Sequence, residues 1–275
     1  MTRILSILLI ITLASPLYGQ EPEYLELYKA ESQLEALFLE LYSDTVEDVE
    51  PILNELAELL PDILSMPGAM EYPWDRLSRI GVKTSEDQQI RIFTWHVEDE
   101  PDTYRYFGYI QVAQKRGKTG LFELKDNFKP QRGLYKADQT VDNWIGKLCY
   151  GIVTKQVKRK TYYTLLGLDF NTSRSNIKSV EVLSIQRNKP RFEKEMFSNG
   201  KELVDRVLLE YSKQVAISVR YDSSLDLITF DHLVPLHPIY KKNFEFYGPD
   251  GSFDGLQFVD GTWILSEDID ARLQY

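Results

Sequence analysis

The chain has 275 residues, one cysteine, and 42 acidic against 32 basic side chains for a net charge of −10. That length supplies an ample core for one large β-rich domain or two small ones. A single cysteine, Cys149, excludes an intramolecular disulfide, and the acidic balance argues against nucleic acid as a partner.

Residues 1–19 read as a signal peptide. Arg3 is followed by the apolar run Ile4–Ala14, and Leu17-Tyr18-Gly19 offers a small residue for cleavage. The run is too short to cross a bilayer, and no later stretch reaches about 18 apolar residues. The expected product is therefore a periplasmic or secreted protein with no transmembrane segment. No cysteine stands at the cleavage site to take a lipid.

Residues 20–65 carry thirteen acids and one lysine, leaving a nearly neutral remainder. Within them Leu27, Leu34, Leu37, Phe38 and Leu41 recur at threes and fours, with Glu26, Glu31, Glu35 and Glu40 between them, which predicts a helix over Tyr24–Tyr42. Ser43-Asp44-Thr45 is suited to cap a second helix, striped by Val46, Val49, Ile52, Leu53, Leu56, Leu59, Leu60 and Ile63, with Pro51 tolerated near its first turn. Together they form a helical hairpin whose acids are a solvated face or, alternatively, a docking surface. Asp44-Thr45-Val46 also resembles the acceptor tripeptide of an O-glycosylation system in some diderm bacteria.

Ser65–Trp74 reads as a linker, and beyond it the hydrophobic period changes from 3.6 to 2. Gln89–Val97 and Tyr104–Ala113 are expected to pair across the acidic turn Glu98–Asp102, followed by a short strand at Gly120–Lys125 and a loop over Phe128–Asp142. Tyr150–Val157 and Thr161–Leu168 form a hairpin with Lys158-Arg159-Lys160 at its tip. Ser179–Ile185, Asp205–Tyr211, Val215–Tyr221 and Leu225–Asp231 read as further strands, with an irregular piece and a helical turn at Phe192–Gly200. Leu256–Val259 and Thr262–Ile264 close on Asp260-Gly261, a two-residue hairpin signal. About ten short strands without strand–helix–strand alternation give an α+β class. The expected architecture is an N-terminal helical hairpin followed, over residues 66–275, by a mostly antiparallel sheet body, either a sandwich or a partly open barrel.

Polar and turn residues are densest in Phe230–Leu265. Asp231, His232 and His237 offer a carboxylate beside two imidazoles, the chemistry of zinc ligation or acid–base catalysis, with Glu245 or Asp254 as a further partner. The prolines at 235 and 238 extend the chain between the histidines, so a hydrogen-bonding His232 and an exposed His237 is the competing reading. Asp250, Ser252 and Asp254, with Gly255 at the sixth position, match the front half of a calcium loop. Gly261 stands where its bidentate glutamate belongs, and a Pro249-Asp250-Gly251 turn explains the same residues. Neither calcium nor zinc is therefore counted as a cofactor. Cys149 and His96 sit in apolar strands and read as structural. Tyr104, Tyr106, Tyr162, Tyr163, Tyr240 and Tyr247 are candidates for stacking on a glycan or holding an apolar ligand, against ordinary sheet packing.

YRYFGYIQV (Tyr104–Val112), YYTLLGLDFN (Tyr162–Asn171), VRYD (Val219–Asp222), FDHLVP (Phe230–Pro235) and GPDGSFDGLQF (Gly248–Phe258) resemble an uncharacterised family of exported proteins from diderm bacteria. The resemblance implies export and a shared β-body and brings no activity with it. The expected function is a non-enzymatic module that binds a small molecule, a glycan or an envelope protein. The alternative is a hydrolase of an envelope or extracellular polymer using His232, Asp231 and Asp254.

Overall fold

The computed structural model describes residues 24–127 and 138–269. The signal-peptide reading and most of the loop expected at 128–142 lie outside them. Among these residues two α-helices, α1 (Leu25–Leu41) and α2 (Glu50–Leu64), precede fifteen strands in three sheets.

The apolar stripe of α1 is buried as its spacing demands, with one departure. Glu31 lies on that stripe, four residues after Leu27, and is itself buried. It accepts from Tyr72 Oη at 2.7 Å and from the Arg76 amide at 2.8 Å, so it is a buried acceptor rather than one of the solvated acids. The second helix starts at Glu50, later than its apolar pattern suggested. Ser43 and Thr45 bond to each other instead of capping it, and Pro51 takes the first turn, where no amide is needed. Val46 and Val49 still pack on the core from the intervening turn.

The stretch expected as a linker, Ser65–Trp74, does not behave as one, and neither do the residues that follow it to 80. Ala69, Met70, Tyr72, Trp74 and Leu77 are buried, and Arg91 donates to the carbonyls of Ala69 and Tyr72, pinning this segment to the sheet. The helices and this segment cover one face of the first sheet, which has the order β1 (Gly81–Thr84), β2 (Ile90–Glu100), β3 (Thr103–Ala113) and β4 (Thr119–Lys125). Phe38 meets Trp95 edge-on at 5.5 Å, and Gln111 Nε2 donates to the Leu64 carbonyl at the end of α2. Hairpin and sheet thus share one core.

The second sheet runs β11 (Arg206–Ser212), β7 (Ser175–Gln186), β6 (Lys160–Asp169), β5 (Leu148–Val157), with β8 (Lys189–Phe192) also paired to β7. Strand β5 lies against β1 and β2, and β8 lies against β3 and β4, so the two sheets curl around a second core of Ile90, Ile110, Leu165 and Leu183. Cys149 is buried there, and burial pushes its thiol up to about 12, which favours the protonated thiol. His96 is half-buried with its ring 4.8 Å from that of Phe170, and burial holds its pKa below the usual imidazole value.

The third sheet has the order β10 (Leu203–Val204), β9 (Phe197–Ser198), β15 (Thr262–Ser266), β14 (Tyr247–Val259), β13 (Leu227–Pro235), β12 (Val219–Asp222). It packs on the outer face of the second sheet through Trp263, Phe197, Ile228 and Leu256 against Val153, Leu166 and Val182. Trp263 Nε1 reaches across to Thr164 Oγ1 at 2.9 Å. Among the described residues only the β15–β9 pair is parallel. At the β14–β15 turn Asp260 and Gly261 both have positive φ, the geometry that an Asp-Gly pair supplies in a two-residue hairpin. Phe192–Gly200 contributes β9 and has no helical turn. The hairpin tip expected at 158–160 is shorter by one residue, because Lys160 pairs with Val157 as the first residue of β6. No helix among the described residues is long and apolar enough to cross a membrane.

Candidate functional site

The chain passes from the third sheet to the second at a corner. Val204 ends β10, Arg206 begins β11, and only Asp205 separates them. Asp205 is buried and its Oδ1 accepts from the Glu195 amide at 2.9 Å, which fixes the corner. Two sheets joined at such a corner splay apart, and a cavity of about 630 Å³ opens between them. Its walls are Phe197, Val204, Val207, Leu209, Leu256 and Leu265, and polar groups come from Asn199, Glu202, Arg206, Asp231, His232 and Asp254. A cavity of this size, apolar with a few convergent polar groups, suits a small molecule.

Strand β13 gives the cavity four consecutive residues, Phe230 to Leu233. A regular strand sends successive side chains to opposite faces and contributes only alternate ones. The explanation is a bulge. Asp231 pairs with Phe253 and Leu233 with Pro249, so that Asp250, Gly251 and Ser252 together oppose His232. Gly251 has φ +93°, a conformation that disfavours a side chain, and this allows the extra residues to loop out. The stretch read from sequence as a calcium loop or a β-turn is thus the bulged middle of β14.

The bulge brings His232 against Asp254, the cross-strand partner of Phe230. His232 Nδ1 and Asp254 Oδ2 are 2.8 Å apart. Asp254 Oδ1 accepts from the Asp268 amide at 3.1 Å. With both oxygens acting as acceptors, the His232 ring carries its proton on Nδ1. The hydrogen bond to Asp254, reinforced by the charges of Asp254, Asp250 and Glu267, raises the His232 pKa above its ordinary value. Asp231 is held by Ser218, whose amide donates to Oδ2. Arg206 is buried and lies 3.8 Å from Glu181, which in turn pairs with Lys147 at 2.8 Å and accepts from Gln139.

The sequence-derived candidates separate into two groups. Asp231, His232 and Asp254 meet at the cavity. His237 lies in the connection after β13, where its Nδ1 accepts from the Ile239 amide, and it does not line the cavity. Glu245 is paired with Arg174 at 3.1 Å. Asp250 and Ser252 bond to each other, Oγ to Oδ1 at 2.7 Å, while Asp254 is engaged with His232. Among the described residues no three His, Cys, Asp or Glu side chains are arranged to hold a metal.

None of the six tyrosines lines the cavity. Tyr106 and Tyr163 are buried and donate to Asp169 and Asp87 at 2.9 Å each. Tyr104 packs on Phe170, Tyr162 meets Phe258 edge-on, Tyr240 stacks on Phe246, and Tyr247 contacts Phe244. Sequence reasoning missed the opposite wall of the cavity, from Phe197 to Leu209. Its residues are ordinary strand apolars, and no local signal marks them.

Comparison of the chain with protein-family models, with curated proteins and with solved structures finds no match.

Proposed function

We propose that the protein is an exported, non-enzymatic binding module whose cavity between the second and third sheets takes a small amphipathic molecule. The observation that carries this reading is the 630 Å³ cavity itself, which combines apolar walls with polar groups from both sides, Asp231, His232 and Asp254 on one and Asn199, Glu202 and Arg206 on the other. An apolar body replaces water against Phe197, Val207, Leu209 and Leu265, at roughly 25 cal/mol per Å² buried. A polar end is oriented by His232 and Asp231. Export rests on the apolar run at Ile4–Ala14 and on the resemblance to exported diderm proteins.

The test is extraction. The chain is purified without detergent from the exported fraction, extracted with organic solvent, and the extract analysed by mass spectrometry. A stoichiometric amphipathic molecule is expected, and the double variant Val207→Trp/Leu265→Trp, which obstructs the cavity, should lose it. Recovery of equal amounts from parent and variant, or of nothing from the parent, contradicts the proposal.

The 2.8 Å His232–Asp254 pair favours a second reading, the hydrolase, because a carboxylate that orients an imidazole is the arrangement of a general base. That reading expects the captured molecule to be converted and His232→Ala to abolish conversion while sparing capture. Recovery of an unaltered ligand after prolonged incubation sinks it.

A further inference from the structure

The connection between β13 and β14, residues 236–246, presents an apolar surface over which none of the described residues packs. Leu236, Ile239 and Phe244 are exposed, Ile239 to 73 %. Its backbone is nevertheless well ordered by internal bonds. Leu236 N donates to Phe246 O, Tyr240 N to His237 O, Asn243 N to Tyr240 O and Lys242 N to Tyr247 Oη. Tyr240 stacks on Phe246 at 4.3 Å, and the turn Phe244–Phe246 lies against β11 and β7. The aromatic groups at the base hold the loop, so the exposed side chains are presented by a rigid platform rather than by a frayed segment.

The charge of this connection is opposite to that of the chain. Lys241 and Lys242 are exposed, and residues 236–244 contain no acid, within a protein of net charge −10. The next acid, Glu245, is offset by Arg174, whose side chain is itself largely exposed. Exposed aliphatic and aromatic groups beside lysines suit the boundary of an anionic bilayer, where the apolar groups enter the acyl region and the cations meet phosphates.

We propose that residues 236–244 dock the protein on an anionic lipid surface. The occupant is the bilayer boundary, selected by the coincidence of a rigid apolar tip with the local positive charge. The inference is independent of what the cavity holds. It has a geometric consequence for it: only two strand residues, Val234 and Pro235, lie between the cavity wall at Leu233 and the start of the exposed connection at Leu236, a span of about 10 Å.

Flotation of the full exported chain with vesicles tests this. One set is phosphatidylcholine alone, and the other carries three parts in ten phosphatidylglycerol. The parent is expected to float with the anionic set, more weakly with the neutral set, and less as salt is raised. Ile239→Asp/Phe244→Asp should cut the bound fraction at least roughly tenfold. Lys241→Ala/Lys242→Ala should weaken binding to the anionic set by roughly fivefold per lysine and leave the neutral set unchanged. Far-ultraviolet circular dichroism checks that both variants are folded. The proposal is overturned if the parent does not float, or if both variants float as the parent does. It is also overturned if sedimentation velocity shows a parent dimer that Ile239→Asp/Phe244→Asp converts to monomer, which would assign the tip to a second copy of this chain.

Discussion

Lys147–Glu181 and His232–Asp254 have the same separation, 2.8 Å, in very different surroundings. The first pair is 5 % and 3 % exposed, sealed within the second sheet with Arg206 and Gln139 beside it. The second is 38 % and 10 % exposed, at the edge of the cavity. Distance alone therefore does not distinguish a structural pair from a poised one. A sealed pair has no water to replace a lost partner and no room for a proton to come and go. A pair at a cavity has both.

The largest effect that sharpens this contrast is expected at the sealed pair. Glu181→Leu leaves Lys147 buried without its carboxylate and should cost about 3–5 kcal/mol, read as a fall in the urea midpoint with unchanged slope. If instead it costs less than about 1 kcal/mol, water enters the sheet interface and the contrast fails.

Next comes the cavity itself. Val207→Trp/Leu265→Trp pushes bulk into space that is already open, so it should destabilise by no more than about 1–3 kcal/mol while removing ligand capture. A much larger loss of stability would mean that the space is packed in solution.

Smaller again is Asp254→Ala, which leaves the Asp268 amide and His232 without their acceptor. A cost of about 1–2 kcal/mol is expected from chemical denaturation. His232→Ala should lie within about 1 kcal/mol of the parent, because its ring is well exposed to water.

The least effect is a pH dependence, and its sign follows from the raised pKa of His232. The protonated ring is favoured in the fold, so its contribution is complete below the unfolded value near 6.5 and is lost as pH rises through the higher folded value. Proton-detected titration of the ring should show this raised midpoint, and Asp254→Asn should bring it back toward 6.5. An unshifted midpoint in the parent would remove the distinction between the two pairs.

Much of the architecture is written in local pattern. The 3.6 period of Leu27, Leu34, Phe38 and Leu41 announces α1, and Asp260-Gly261 announces the last hairpin, because each signal acts within a few residues. What could not be read depends on distant partners. Glu31 looks like a solvated acid until Tyr72 and the Arg76 amide are brought to it. The segment Ser65–Trp74 has a linker's composition, yet Tyr72 and Trp74 are buried in the core shared with the first sheet. Strands β9 and β10 are two residues each, too short for any period to register.

The candidate site divides in the same way. Asp231, His232 and Asp254 stand out by residue type, and the bulge that gathers them is hinted at by Gly251. The glycine at position six invited a loop, whereas cross-strand pairing with β13 makes the stretch a bulged strand. The apolar wall from Phe197 to Leu265 comes from five strands and has no signature in any one of them. Tyrosine abundance pointed elsewhere: none of the six lines the cavity, and they pack on other rings or, as Tyr106 and Tyr163 do, donate to Asp169 and Asp87.

The most direct test of the central claim is a pair of thermal melts. One is of the chain as purified, and the other of the same chain stripped of bound molecules and given back its own solvent extract. A ligand at a hundred times its dissociation constant that binds only the native state adds about 2.7 kcal/mol, which for a chain of this size is a shift of roughly 5–10 °C. The account expects the stripped chain to melt lower, the extract to restore the melt, and Val207→Trp/Leu265→Trp to respond to neither step. Melts that coincide throughout, or an obstructed variant that responds as the parent does, would contradict it.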